Sequence, residues 1–119
     1  MTQTTAQFVS TSKISSYHAH IYFDEATLEQ AKALGNTAGE LFKLKVGRFH
    51  CKPVGPHPCW SCQLAFDRDR FAEIVAWLSL NRNGLDILLH PLTGDDLKDH
   101  TDHAGWLGNS QALNLAALT

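Results

Sequence analysis

Between Tyr17 and His90 the apolar residues switch between a two-residue and a 3.6-residue repeat, and that order of repeats admits few folds. Tyr17-His18-Ala19-His20-Ile21-Tyr22-Phe23 alternates, with Ala19, Ile21 and Phe23 on one face and His18, His20 and Tyr22 on the other. Asp24 stands where a helix cap belongs, ahead of the stripe Leu28, Ala31, Leu34, Ala38 and Leu41, which predicts a helix from Thr27 to Phe42. Gly35 and Gly39 weaken that helix, so an early break is expected. Lys45 to Cys51 reads as a second strand, Lys52 to Pro58 as a Pro- and Gly-rich turn, and Trp60 to Phe66 as a third strand. A second helix opens at Asp67 or Asp69 and carries Phe71, Ile74, Val75 and Leu78 at helical spacing. It stops at Asn83-Gly84, since both residues tolerate the left-handed conformation. Leu85 to His90 is the fourth strand, ending at Pro91. The order β-α-β-β-α-β predicts an α+β fold of the ferredoxin-like type.

One domain is expected over residues 17–110, because 119 residues supply one core and not two. Residues 1–16, rich in Thr, Ser and Gln, read as a mobile N-terminal tail, and residues 111–119 as a short helix or docked C-terminal tail. Beyond Pro91 the chain reads as irregular, with a turn at Thr93-Gly94-Asp95-Asp96 and a stretch from Asp99 to Gly108 dense in His, Asp and Trp. In the predicted topology both helices cover one sheet face. The face bearing His18, His20 and Tyr22 then needs a partner copy or the C-terminal tail to cover it.

Charge and composition exclude several classes. A net charge of −2 offers no reason to expect nucleic acid or an anionic membrane as partner. No apolar run approaches the roughly 18 residues of a membrane span. The first residues lack the basic start and apolar stretch of a secretory signal. Three cysteines, an odd count, fit reduced thiols, and the expected setting is the cytoplasm.

Chemistry is concentrated in the histidines, of which there are seven. His18 and His20, two apart on one strand, project to the same side, a common way for a strand to present metal ligands; alone, the pair is equally well two polar residues on a wet face. With the first strand between the third and fourth, His57 and His90 approach it from both neighbours. Pro56, Pro58 and Pro91 stiffen the backbone beside them, which lowers the ordering cost of binding an ion. The start of the third strand and the end of the fourth meet opposite ends of the first, so the four rings need not share one ion. Imidazoles suit Fe, Zn, Cu and Ni alike. Asp24, Glu40, Asp86 and Asp95 are possible carboxylate partners, none favoured by spacing, and an all-histidine site is equally open.

Arg48 alternates with His50 and can face the cleft, where a guanidinium could hold a substrate carboxylate; a surface ion pair is the plain alternative. Asp99-His100-Thr101-Asp102-His103 pairs acids with histidines, either as proton-handling groups beside the site or as a capped, solvated turn. Cys59-Trp60-Ser61-Cys62 is a C-x-x-C, but on a strand residues three apart face opposite sides, which argues against a shared zinc.

Five stretches in order carry a resemblance: His18-Ala19-His20-Ile21-Tyr22-Phe23; Val54-Gly55-Pro56-His57-Pro58; Trp77-Leu78 with Asn81-Arg82-x-Gly84; His90-Pro91-x-Thr93-Gly94; and Asp99-His100 with Ala104-x-Trp106-Leu107-Gly108. Together, over roughly Ser16 to Gly108, the chain resembles the DOPA 4,5-dioxygenase family of fungi and bacteria. The resemblance implies a homodimeric, ferredoxin-like α/β-barrel protein. It further implies extradiol cleavage of a catechol such as L-DOPA by non-haem Fe(II) and dioxygen, giving a seco-acid that can cyclise to a betalamic-acid-type pigment precursor. Zinc or another divalent ion can take the iron's place in a purified sample. Carried over residue by residue, His20, His57 and His90 are the first metal or active-site positions, His18 the next, and His100 an acid–base group beside them. A non-catalytic ferredoxin-like binding or dimerisation domain, or a different metal-dependent enzyme on this fold, are the competing classes.

Overall fold

The computed structural model describes residues 7–119, so the start of the expected N-terminal tail lies outside the described residues. Its remainder includes a 3-10 turn, Thr11–Lys13, held where the Arg68 guanidinium donates to the Thr11 and Ile14 carbonyls. The elements are β1 Ser16–Phe23, α1 Leu28–Phe42, β2 Lys45–Val46, β3 Trp60–Asp67, α2 Phe71–Asn81, β4 Ile87–Leu92, α3 Asp96–Asp99 and β5 Gly105–Leu107. They make a five-stranded antiparallel sheet in the order β2-β3-β1-β4-β5, a ferredoxin-like α+β fold with an added edge strand.

The alternation of β1 sets the two faces. Ala19 and Ile21 have no exposed surface, and with Leu64, Ile87, Ile74 and Leu78 they form the core beneath α1 and α2. Asp24 accepts from the Thr27 amide while the Thr27 hydroxyl takes the Asp24 amide, a reciprocal cap that closes the turn leading into α1. The expected break at the glycines of α1 does not occur. These are the points where the helix lies closest to the rest of the fold: a Cβ on Gly39 would stand 2.6 Å from Val46 Cγ2, and one on Gly35 3.0 Å from Phe49 Cζ. Close packing there offsets the poor helix propensity of glycine.

The second strand is shorter than its sequence suggests. Val46 lies opposite Leu64, and the Gly47 amide still reaches the Gln63 carbonyl, but His50 is next opposite Ser61. Three steps on one chain therefore match two on the other, a one-residue bulge that sends Phe49 into the core. β4 starts two residues later than expected and runs through Pro91. The outer strand β5 pairs only with Ile87–Leu89, so the missing amide of Pro91 breaks no bond on that side. Neither α3 nor β5 was expected: four and three residues are too few to show a repeat. Among the described residues no helix is long and apolar enough to cross a membrane.

The face opposite the helices is covered from within the chain. Above β1 and β4 lie the His57 turn, α3 and the C-terminal segment, whose Asn114 amide donates to the Pro56 carbonyl. Asp86 ties the same segment down, accepting from the Asn109 amide at 2.8 Å and the Gln111 side chain at 2.9 Å. As a result Tyr22, His20, Leu88 and His90 on this face are all buried. The C-terminal tail is thus docked, one of the two covers the sequence called for.

Candidate metal centre

Three histidines meet on the covered face because the sheet register puts them there. His18 and His20 project from β1 on one side, and His90 on β4 is the direct cross-strand partner of His18. The ligand nitrogens of His18, His20 and His90 all lie within 4.8 Å of one another, the one group of three potential ligands found among the described residues. His20 Nε2 and His90 Nε2 stand 3.0 Å apart. Two imidazoles each about 2.1 Å from one ion, at right angles, are separated by about 3.0 Å, so this pair already has the spacing of adjacent ligands.

Protonation favours the same role. Burial, followed by repulsion from His57, His90, His18 and His100, holds His20 well below the usual histidine range. Burial likewise brings His90 down to about 4, against a smaller upward pull from its hydrogen bond to the Pro91 carbonyl. His18, half-buried, is also lowered, by burial and His100, with Asp96 opposing. At neutral pH these rings are uncharged and have lone pairs to give, the form a metal requires. A carbonyl can only accept, so His90 donates from Nδ1 at 3.0 Å to Pro91 and keeps the Nε2 lone pair towards His20.

Two more histidines flank the three. His57 is 7% exposed, its ring centroid 4.2 Å from that of His20, and its Nδ1 lies 2.7 Å from the Tyr22 hydroxyl. Burial first, then the imidazoles of His100, His90, His50 and His18, lower it to about 4. His57 is outside the mutual group of three, in keeping with its approach from the far end of β1. On the other side the His100 ring lies 3.9 Å from that of His90 and donates from Nδ1 to the Asp96 carbonyl at 2.7 Å. That leaves Nε2 of His100 as a base.

Asp99 fixes this side of the site. It is 1% exposed and accepts from the Thr93 amide at 2.8 Å, the Thr93 hydroxyl at 2.6 Å and His103 Nδ1 at 3.1 Å. Burial raises its pKa, but those donors outweigh burial and the net shift is downward. The turn after His90 and the helix before His100 are thereby joined through one carboxylate.

The carboxylates considered as metal partners are engaged elsewhere. Asp24 and Asp95 cap helical turns, Asp86 holds the C-terminal segment, and Glu40 is exposed on α1. Arg48 is exposed and lies past the end of β2, where the bulge has broken the alternation that would have set it beside His50. All three cysteines are free thiols; Cys62 faces the core opposite Ile21, and burial pushes it up to about 12. Tyr22 and His50 are additions that sequence reasoning missed. Tyr22 shares the parity of His18 and His20, and that was the available signal; His50 joins the cluster only through the bulge. A cavity of about 620 Å³ lies between the N-terminal 3-10 turn and the Thr93–Lys98 turn, and no histidine of the cluster lines it.

Comparison with known proteins shows the family. The profile of the Dopa 4,5-dioxygenase family matches residues 17–117. The chain is 34% identical over 125 residues to DOPA 4,5-dioxygenase of Amanita muscaria, covering 98% of this chain and 55% of that protein. It is 32% identical over 112 residues to an uncharacterized 21.2 kDa protein of Botryotinia fuckeliana, covering 84% of this chain and 61% of that one. The chain therefore spans little more than half the length of these two relatives. A crystal structure of a candidate dioxygenase from Nostoc punctiforme superposes with a TM-score of 0.91 at 44% identity, over 93% of this chain and 96% of the other. The matched span contains the three grouped histidines together with His57 and His100, and the chain belongs to the Dopa 4,5-dioxygenase family.

Proposed function

We propose that the chain is an extradiol ring-cleaving dioxygenase acting on a catechol such as L-DOPA, with non-haem Fe(II) held by His18, His20 and His90. The observation that carries this reading is the trio itself, His20 and His90 buried and His18 half-buried, with two of its nitrogens at ligand spacing. Three neutral imidazoles fit a divalent first-row ion and leave further coordination positions open. When bound, Fe(II) would act as the Lewis acid that brings catechol and dioxygen side by side.

The chain's own groups have distinct tasks in this reading. His18 and His100, half-buried, form the open side through which a planar catechol would enter. His100, a base at Nε2, is placed to take a proton from a catechol hydroxyl. His57, its ring centroid 4.2 Å from that of His20, adds a further polar group beside the three. The C-terminal segment over the His57 turn keeps water from the buried end. Arg48, which is exposed, would meet a substrate only at its carboxylate end. A homodimer belongs to the same reading, and the three free thiols suit the proposed cytoplasmic setting.

The test is anaerobic reconstitution with Fe(II), then L-DOPA or caffeic acid in air, following oxygen uptake and colour. One oxygen consumed per catechol with a yellow ring-cleavage product is the expected result. His18→Ala and His90→Ala should lose bound iron, and with it the rise in Tm that loading gives, while the apo variants stay folded. Tightly bound iron without oxygen uptake across several catechols would move the assignment to a different metal-dependent reaction. Absence of metal binding would leave a non-catalytic domain.

A further inference from the structure

We propose that Tyr22 is a positioning residue: its hydroxyl fixes His57 with the ring hydrogen on Nε2, making His57 a hydrogen-bond donor to an anionic oxygen of the ligand and keeping it out of the metal's own ligand set. The role towards a ligand rests on the metal-site reading above; the tautomer does not.

A phenol has one hydrogen to give and, when buried, needs an acceptor for it. Tyr22 is 3% exposed, and His57 Nδ1 at 2.7 Å is the partner its hydroxyl has among the described residues. If His57 donated from Nδ1 instead, the Tyr22 hydrogen would be buried with no acceptor, an arrangement folded proteins avoid. No buried side-chain nitrogen or oxygen among the described residues is left in that condition. Tyr22 therefore donates and Nδ1 accepts. A neutral ring carries a single hydrogen, so it sits on Nε2. This nitrogen has no hydrogen-bond partner among the described residues and is free to meet a ligand.

Both partners are held firmly. Tyr22 lies on the central strand, its amide bonded to the Asp86 carbonyl and its ring edge-on to Trp106 at 5.7 Å. His57 stands between two prolines, its amide bonded back to the Val54 carbonyl, and Asn114 holds the neighbouring Pro56 carbonyl. The contrast with the other side of the site is chemical. His90 and His100 give their Nδ1 hydrogens to main-chain carbonyls and keep lone pairs on Nε2. His57 is sorted the other way from these two, its Nε2 an N–H donor rather than a lone pair. That donor suits a negatively charged oxygen, the kind a deprotonated catechol presents.

Long-range ¹H–¹⁵N spectra of the histidine rings, at neutral pH and without metal, test this directly. Wild type should show His57 as the Nε2–H tautomer, and Tyr22→Phe, which keeps the ring against Trp106, should shift it towards the other tautomer. On loading with Zn(II) the nitrogens of His18, His20 and His90 should move and those of His57 should not. In turnover with catechol, Tyr22→Phe should lower kcat roughly 10- to 100-fold with KM and metal content unchanged, and His57→Ala should add nothing further in the double variant. An Nδ1–H tautomer in wild type, an unchanged pattern in Tyr22→Phe, or a zinc-induced shift at His57 would each overturn the proposal. A chain with the expected tautomer that consumes no oxygen would count against the catechol reading alone.

Discussion

Acid should unfold the metal-free protein well before its carboxylates titrate. His57 and His90 are 7% and 1% exposed, and their pKa values fall from 6.5 to about 4 because burial disfavours the charged ring. The sign follows from linkage. Below 6.5 the unfolded chain takes up protons that the folded chain refuses, so stability is full above 6.5 and is lost as pH falls towards 4. Between pH 7 and pH 5 each of the two costs about 2 kcal/mol, and the pair about 4 kcal/mol at most, since each ring's protonation opposes the other's. His20 is shifted in the same direction and adds to the loss. Against a typical domain stability of about 5–15 kcal/mol this is a large fraction. Asp99 makes no contribution in that window: its folded pKa is lowered from 3.8, so what it adds is lost only as pH drops below that. The assay is urea denaturation of chelator-treated protein at half-unit steps from pH 7.5 to pH 4.5. The slope of stability against pH should reach that of at least two protons, His20 adding to the two, and His57→Gln should flatten it by about one. A stability that is flat from pH 7 to pH 5 would refute the view that these rings are buried and neutral.

Two further outcomes concern packing around the site. Asp99→Ala leaves both Thr93 donors without their acceptor and should cost about 2–4 kcal/mol, with Asp99→Asn milder because the amide oxygen still accepts one of them; calorimetric Tm and metal affinity, through His90, should fall together, and wild-type stability in the alanine variant would refute the tie. Gly39→Ala should destabilise by about 1 kcal/mol in urea titrations although alanine is the better helix former, because the added methyl meets Val46 at 2.6 Å; a rise in stability would mean that the short edge strand yields.

The site was partly legible in the sequence because strand parity is a local property. His18, His20 and Tyr22 share a face by spacing alone, and the order of repeats makes the fourth strand a neighbour of the first, which brings His90 close. Family resemblance singled out His57 and His100 as well. Neither route could say how the five rings divide the work.

That division was decided by tertiary structure. The register that sets His90 opposite His18 depends on the length of the turn after α2, and the one-residue bulge after Val46 both moves Arg48 away from the predicted alternation and brings His50 in. Asp24, Asp86 and Asp95 stayed open as carboxylate partners of the histidines until their hydrogen-bond partners were visible. Sequence periodicity states which face a residue takes within one element. The distance between nitrogens on different elements, and the acceptor that fixes each ring's hydrogen, are set only when the chain closes on itself. The sequence by itself thus determined the fold class and the histidine-bearing face, while the closed structure determined which imidazoles meet and in which tautomer.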